Sequence, residues 1–70
     1  MPDVLATMAG TVFKVLVKPN DHVLAGQDVV VLESMKMEIP LQAEVAGTVA
    51  EVKVQEGEFV NEGGVLLTLK

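Results

Sequence analysis

The sequence predicts an all-β fold, a sandwich or barrel built from short strands. Half of the residues are hydrophobic and valine is the commonest of them, which favours strands because β-branched side chains fit a pleated, half-buried surface. Turn-forming pairs such as Ala-Gly recur every few residues, with short apolar runs between them. No segment of helical length has apolar residues at the spacing of an amphipathic helix.

An internal repeat divides the chain into two similar halves. When the sequence is shifted by 37 positions, residues 2–33 align with residues 39–70 without a gap. Residues 34–38 have no counterpart, and Lys36 is the centre of this insert. Neither half is long enough to bury its own apolar face, so we predict that both halves share one core about a pseudo-two-fold axis. The identical pairs are Ala6/Ala43, Ala9/Ala46, Gly10/Gly47, Thr11/Thr48, Val12/Val49, Val15/Val52, Val17/Val54, Val23/Val60, Gly26/Gly63 and Leu32/Leu69.

The first half predicts four strands, each a short apolar run bounded by turn signals. The signals are Ala9-Gly10, residues 18–21 and Ala25-Gly26. The three-residue step from Val12 to Val15 breaks the alternation of a regular strand and predicts a β-bulge near residues 13–14. The predicted strands are residues 3–7, 11–17, 22–24 and 28–33.

The second half predicts the same elements again, with a bulge near residues 50–51. Asn20 and Gly57 occupy equivalent turn positions, and both residue types tolerate a left-handed backbone. Gly26 and Gly63 mark another tight turn that is used twice. The predicted strands are residues 38–44, 48–54, 59–61 and 65–69. The valines expected to point inward are Val12, Val15, Val17, Val49, Val52 and Val54.

The insert predicts a β-hairpin whose turn consists of Met35 and Lys36. In that register apolar residues meet on one face of the hairpin, which supports it. Because proline donates no hydrogen bond, the strand that contains Pro40 is expected at a sheet edge or outside the ladder bonds. The predicted pairs are Ser34 with Met37, Glu33 with Glu38, Leu32 with Ile39, Val31 with Pro40 and Val30 with Leu41.

Three features of this hairpin break the rules that usually stabilise one. A two-residue turn favours Asn-Gly or Asp-Gly because the backbone needs positive φ, whereas this turn is Met35-Lys36. The long thioether side chains of Met35 and Met37 flank a tip where burial is difficult. Glu33 faces Glu38, which places like charges together. Departures from local rules at one point are expected at functional sites, so we interpret Lys36 as the residue that the scaffold presents.

The composition argues against several classes of function. A chain without cysteine forms neither a disulfide nor a thiolate metal site. A net charge of −5 and few aromatic residues disfavour binding to nucleic acid, and the charge also disfavours an anionic membrane surface. No apolar run approaches a membrane span, and the N-terminus lacks the layout of a signal peptide. We expect a cytoplasmic location, or an organelle matrix if the chain is an excised domain.

The residues of an enzyme active site are also missing from the sequence. His22 is the only histidine, and no triad-like spacing appears among the hydroxyl residues. His22 aligns with Phe59 in the repeat, so we expect a half-buried packing residue, and we expect Phe13 and Phe59 in the core. Four glutamates are expected to form a solvated face rather than a metal site: Glu51, Glu56, Glu58 and Glu62.

Residues 33–40, flanked by two Ala-Gly-Thr-Val segments, resemble those of biotinyl domains, the biotin carboxyl carrier domains of acetyl-CoA, propionyl-CoA and pyruvate carboxylases. The resemblance covers nearly the whole chain, whose length is most similar to that of small free-standing biotin/lipoyl attachment proteins. It implies a single domain over residues 1–70, a flattened β-barrel of two four-stranded antiparallel sheets, with the acceptor lysine at Lys36 on a protruding hairpin. The family most often has alanine at Ser34, a small residue like serine. The gapless repeat leaves no room for the "thumb" loop of bacterial acetyl-CoA carboxylase carriers.

This resemblance implies a carrier and not an enzyme. A biotin protein ligase would make biotinyl-adenylate, and the neutral amine of Lys36 would attack it. Nothing near Lys36 in the sequence suggests a built-in base, so the ligase must supply the deprotonation. Covalent biotin would then accept CO2 at a biotin carboxylase site and deliver it, as carboxybiotin, at a carboxyltransferase site. The flanking Met35 and Met37 would offer these partners an apolar grip, with Glu33, Ser34 and Glu38 as the surrounding hairpin.

Two alternative interpretations stay open. One is a lipoyl carrier on the same fold, or a carrier that accepts both groups, although lipoyl domains usually have Asp-Lys-Ala where this chain has Met-Lys-Met. The other is a purely structural interaction domain, which would leave the unusual hairpin unexplained. A small acidic carrier that visits two sites is expected to be monomeric by itself.

Overall fold

The computed structural model describes residues 2–70, and this part of the chain folds into β-strands alone. Each strand coincides with a predicted one to within two residues at either end. The described residues therefore include no helix of the length and apolarity that a membrane span requires. The strands are β1 (Asp3–Leu5), β2 (Gly10–Val15), β3 (His22–Val23), β4 (Asp28–Ser34), β5 (Met37–Gln42), β6 (Gly47–Val52), β7 (Phe59–Val60) and β8 (Val65–Leu69).

The strands form two four-stranded antiparallel sheets, and each sheet takes two strands from each half of the sequence. The first sheet has the order β1-β8-β6-β3, and the second has the order β5-β4-β2-β7. Every neighbouring pair is antiparallel. The 37-residue shift turns β1 into β5 and β2 into β6, and it converts the order of the first sheet into that of the second. The predicted fold class is confirmed.

The hydrophobic core follows the repeat residue by residue. Among residues 2–70, every buried hydrophobic residue has a repeat counterpart that is also buried. Of the valines predicted to point inward, Val15 and Val52 are half-buried and pack against the core, and the others are buried. Both halves thus build one core. Its pairs are Val4/Leu41, Ala6/Ala43, Val12/Val49, Val17/Val54, Val23/Val60, Val29/Leu66, Val30/Leu67 and Leu32/Leu69.

The two predicted β-bulges are present at equivalent positions. The register of β2 against β4 shifts between Val12 and Lys14, and that of β6 against β8 shifts between Val49 and Glu51. The extra residue is therefore Phe13 in the first half and its counterpart in the second. A bulge lets β2 and β6 keep apolar residues inward although they are three residues apart.

The turns are also used twice, as the sequence predicts. Asn20 and Gly57 have φ angles of 77° and 93°, and Gly26 and Gly63 both have 85°. The backbone N–H of Asn20 donates to the carbonyl of Val49 at 2.8 Å. The equivalent bond, from Gly57 to Val12, measures 2.7 Å. The backbone thus follows the pseudo-symmetry down to single hydrogen bonds.

Two expectations about burial are wrong. Phe13 and Phe59 are 40% and 62% exposed, and His22 is exposed rather than half-buried. The strands β3 and β7 are two-residue edge strands in which only the second residue faces the core, so His22 and Phe59 point to solvent. Phe13 follows the inward-facing Val12 in the bulge and points away from the core.

Candidate functional site

The hairpin of β4 and β5 has the turn and the register that the sequence predicts. Only Met35 and Lys36 connect the end of β4 to the start of β5. The strand β5 lies at the edge of its sheet, as Pro40 requires. The observed pairs are Ser34–Met37, Glu33–Glu38, Leu32–Ile39, Val31–Pro40 and Val30–Leu41.

The backbone of the turn is in an unfavourable conformation for its sequence. Met35 and Lys36 have φ angles of 52° and 64°, as a type I′ turn requires. A side chain in the left-handed region costs roughly 1–2 kcal/mol per residue. In residues 2–70 the only other non-glycine residue with positive φ is Asn20, whose type tolerates that conformation. Backbone strain is therefore concentrated at the tip of this hairpin.

The side chains of the tip extend into solvent. Met35 is 89% exposed and Met37 is 59% exposed, and Lys36 is exposed between them. The one ion pair found in the described part of the chain joins Lys53 to Glu51. No side-chain hydrogen bond of residues 2–70 involves the ammonium group of Lys36. The hairpin thus holds out an amine that is not engaged by its own protein and is available to another one.

Two carboxylates and a hydroxyl lie directly behind the tip. Glu33 and Glu38 face each other across the strands, and both are exposed. Like charges directly opposite each other are destabilising by about 0.2–1 kcal/mol. Ser34 is half-buried and pairs with Met37. The structure therefore brings together all the residues that the sequence singled out around Lys36, in one exposed hairpin of mixed apolar and acidic character.

The hairpin is firmly held because β4 is an inner strand. It pairs with β5 on one side and with β2 on the other. Val30 and Leu32 on β4 are completely buried, and Ile39 on β5 packs against the same core. At the far end the side-chain amide of Gln42 donates to the carboxylate of Asp28 at 2.7 Å. The exposed tip therefore stands on a base that is fixed by packing.

Gly10 supports that base through a close approach that the sequence analysis missed. A Cβ atom at Gly10 would lie 2.9 Å from the backbone oxygen of Glu33, whereas a Cβ at the equivalent Gly47 would lie 3.4 Å from the Cβ of Leu69. The sequence analysis interpreted Ala9-Gly10 as a turn, but Gly10 is the first residue of β2. Its place at the start of an apolar run was the available signal for a close backbone contact.

The other polar clusters in the described residues have no catalytic arrangement. No three His, Asp or Glu side chains of residues 2–70 are grouped closely enough to hold a metal ion. The four glutamates predicted to be solvated are all exposed. Two of them accept backbone hydrogen bonds, Glu56 from Val15 at 3.1 Å and Glu58 from Gln55 at 3.0 Å. An open depression of about 560 Å³ beside β1 is lined by other residues than those of the hairpin tip.

Comparison with known proteins gives consistent matches over almost the whole chain. A family model described as "Biotin-requiring enzyme" matches residues 1–69. A "Biotin/lipoyl attachment protein" of Bacillus subtilis is 60% identical over 62 residues, which are 89% of this chain and 85% of that protein. A "Biotin carboxyl carrier protein" of Streptococcus mutans is 45% identical over 64 residues, 91% of this chain but 49% of the relative.

A solved structure has the same fold. It is a single-chain, multi-domain long-chain acyl-CoA carboxylase, which superposes with a TM-score of 0.88 at 38% sequence identity. The match covers 94% of this chain and 6% of the carboxylase. The present chain thus spans most of the Bacillus relative, about half of the Streptococcus relative and a small part of the carboxylase.

Proposed function

The chain belongs to the biotin/lipoyl attachment family, and we propose that it carries biotin covalently on Lys36. Its role is that of a non-catalytic carrier in biotin-dependent carboxylases, in keeping with the family model and with relatives that are carrier and attachment proteins. The proposal concerns which residue is modified, which proteins act on it, and where the chain works.

One observation supports Lys36 above the other lysines. It occupies the single point at which both the internal repeat and the rules for hairpin turns are broken. The remaining lysines lie inside the half-repeats. Two of these are engaged within the chain, since Lys53 pairs with Glu51 and Lys70 donates to Asn20, both at 3.3 Å.

The residues at the tip fit biotin chemically. A primary amine can form an amide with the carboxyl group of biotin, and the exposed turn leaves space for a ligase to approach it. When bound, biotin supplies a carrier for one carboxyl group. The long side chain of Lys36 adds reach, and the fixed hairpin base sets the direction in which it points. Amide formation removes one positive charge, which makes a chain of net charge −5 still more acidic.

The proposed partners are a biotin protein ligase, a biotin carboxylase and a carboxyltransferase. Carboxylase partners are supported by the matching domain within an acyl-CoA carboxylase. The exposed side chains of Met35 and Met37 offer such partners apolar contacts, and full burial of a methionine side chain is worth about 1.5–3 kcal/mol. Glu33, Ser34 and Glu38 form the adjoining surface of the hairpin, which a partner that covers the tip also meets.

We also propose that the isolated chain is a cytoplasmic monomer. Its two sheets close one core within a single chain, so a second copy is not needed to cover it. Light scattering across a range of protein concentrations tests the oligomeric state, and a mass that rises to twice that of one chain would contradict it. Fractionation of the source cells tests the location.

Attachment is tested by intact mass spectrometry after incubation with biotin ligase, ATP and biotin. The parent should gain one biotinyl group and Lys36→Arg should gain none. Lys14→Arg is the matched control, because Lys14 is another exposed lysine of the same sheet, and it should be labelled like the parent. Labelling of Lys36→Arg, or loss of labelling in the control alone, would overturn the assignment.

Lipoate is a second candidate because the Bacillus relative is named for both groups. The same assay with lipoate ligase and lipoate separates the possibilities. Addition of a lipoyl group alone would make the chain a lipoyl carrier, and addition of either group would make it a dual acceptor. We expect biotin, because the tip sequence Met-Lys-Met differs from the usual Asp-Lys-Ala of lipoyl domains.

A further inference from the structure

We infer that Met35 and Met37 form a site of reversible oxidative modification, at which a hydroperoxide converts both thioethers to sulfoxides and thereby slows attachment at Lys36. The chemistry of the modification stands on exposure and composition alone. Its effect on attachment rests on the proposed function of Lys36.

The composition leaves methionine as the principal oxidisable side chain. The chain has no cysteine, tryptophan or tyrosine, and it has four methionines. No thiol can therefore react first and protect the thioethers, and no internal disulfide can form in their place. A two-electron oxidant that meets this protein is directed to its methionines.

Exposure then selects between the methionines. Met35 is 89% exposed and Met37 is 59% exposed, whereas Met8 is half-buried and packs against the core. Oxidation of a thioether requires the oxidant to reach the sulfur, so the reaction follows exposure. Met8 is thus a built-in reference within the same chain, while Met1 lies outside the described residues. Both favoured sulfurs belong to the residues that flank Lys36.

The reaction is an oxygen transfer that balances without a further reagent. The sulfur lone pair attacks the outer oxygen of the hydroperoxide, and the O–O bond breaks. The proton of that oxygen passes to the leaving oxygen, which departs as an alcohol or as water. The sulfur loses two electrons and the peroxide gains them. Sulfoxide reductases reverse the change, one enzyme for each sulfoxide epimer.

The modification changes the surface that surrounds the acceptor. A sulfoxide is polar, so a partner that buries Met35 or Met37 would have to strip water from the new oxygen without a prepared hydrogen-bond donor. We expect the rate of biotin attachment to fall about tenfold, which corresponds to roughly 1.4 kcal/mol. The sulfoxides form on side chains that lie outside the core, so unfolding by urea should be unchanged.

The test combines peroxide treatment with peptide mapping. Trypsin cleaves after Lys36 and Lys14 but not at Lys18-Pro19, so Met35 and Met37 fall in different peptides, residues 15–36 and 37–53, and Met8 falls in residues 1–14. We expect one added oxygen atom on Met35 and on Met37 well before Met8 reacts. Equal rates at Met8 and at the tip, read from fragment ions, would overturn the site.

Ligase assays before and after peroxide test the consequence. The oxidised parent should be labelled about tenfold more slowly, and treatment with both sulfoxide reductases should restore its own starting rate. The double variant Met35→Leu/Met37→Leu should keep its own rate through peroxide treatment, and Met35→Gln/Met37→Gln should be slow without it. An unchanged rate in the oxidised parent would overturn the effect. Failure of the untreated parent to be labelled would instead overturn attachment at Lys36, while the peptide map would still test the oxidation site.

Discussion

Leu32 on β4 and Leu69 on β8 are repeat counterparts, both are almost completely buried, and both belong to the same core. The residues around their strands differ completely. β4 continues into a strained, exposed turn and returns as β5, whereas β8 pairs with β1, which comes from the other end of the described chain. The comparison shows that the two halves are held equal where they are buried and differ where one of them presents a site.

The surface repeats this lesson away from the hairpin. Phe59 is exposed where its counterpart is His22, and Leu16 is exposed where its counterpart is Lys53. Only the buried residues must match to keep both halves in one core, because each of them contacts residues of both halves. The outer faces are free to diverge, so a difference between equivalent exposed positions indicates function or neutral change, and a difference in backbone strain indicates function more strongly.

The largest expected effect tests the equality of the cores. Leu32→Ala and Leu69→Ala should each lower the free energy of unfolding by about 2–5 kcal/mol, because each leaves a cavity in the shared core. Urea unfolding followed by circular dichroism measures both. If the alanine variants fail to fold, Leu32→Val and Leu69→Val provide the same comparison. A clearly smaller loss at Leu69 would mean that the second half is not held as tightly as the first.

Gly10 and Gly47 should differ although they are equivalent in sequence. Gly10→Ala is expected to cost about 1–3 kcal/mol because its Cβ would meet the backbone oxygen of Glu33 at 2.9 Å. Gly47→Ala places its Cβ in ordinary contact with a side chain and should be nearly neutral. The same unfolding assay measures the difference. Equal costs would show that the hairpin base is not specially close to β2.

The strained turn should behave in the opposite way to its relaxed counterparts. Met35→Asn with Lys36→Gly should stabilise the protein by about 1–2 kcal/mol, because these residue types accept positive φ. Gly57→Ala should destabilise it by about 1–2 kcal/mol through the backbone alone, since no atom lies within 4 Å of the added Cβ. Thermal unfolding measures both variants. A hairpin variant that is less stable than the parent would refute the assignment of strain to the tip.

The smallest effect concerns the facing carboxylates. Glu38→Gln removes the repulsion with Glu33 and should stabilise the protein by about 0.2–1 kcal/mol at low salt, with less gain at high salt. Glu62→Gln is the matched control, since Glu62 is exposed in a turn and should change stability little. Urea unfolding at two salt concentrations measures the difference. A gain in the control as large as that at Glu38 would point to net charge rather than to this pair.

Most of the fold could be predicted from the sequence because the repeat supplied each observation twice. The bulges, the turns at Asn20 and Gly57 and the hairpin register all follow from local rules that two segments obey together. The orientation of Phe13, Phe59 and His22 did not follow. Alternation places a residue on one of two faces, but short edge strands leave the outer face uncovered, and nothing in the local pattern reports that.

The candidate site was predictable for the opposite reason, since it departs from those rules. The turn residues, the facing glutamates and the exposed methionines were all visible as exceptions, and the structure places them together. The contact between Gly10 and Glu33 was not visible. It joins two segments that are distant in sequence, and a glycine before an apolar run has the same local pattern whether it turns the chain or admits a neighbour.

The assembly of each sheet from both halves also determines stoichiometry. Two separate copies of one half could build the same architecture as a symmetric homodimer, with every core contact occurring twice. In a single chain the copies are joined once, between β4 and β5, and the equivalent place beside Asp3 and Thr68 has no such connection. The segment that joins the copies is also the one that holds Lys36. A molecule built on twofold symmetry therefore offers one such arm, and each docking event can exchange one cargo and no more.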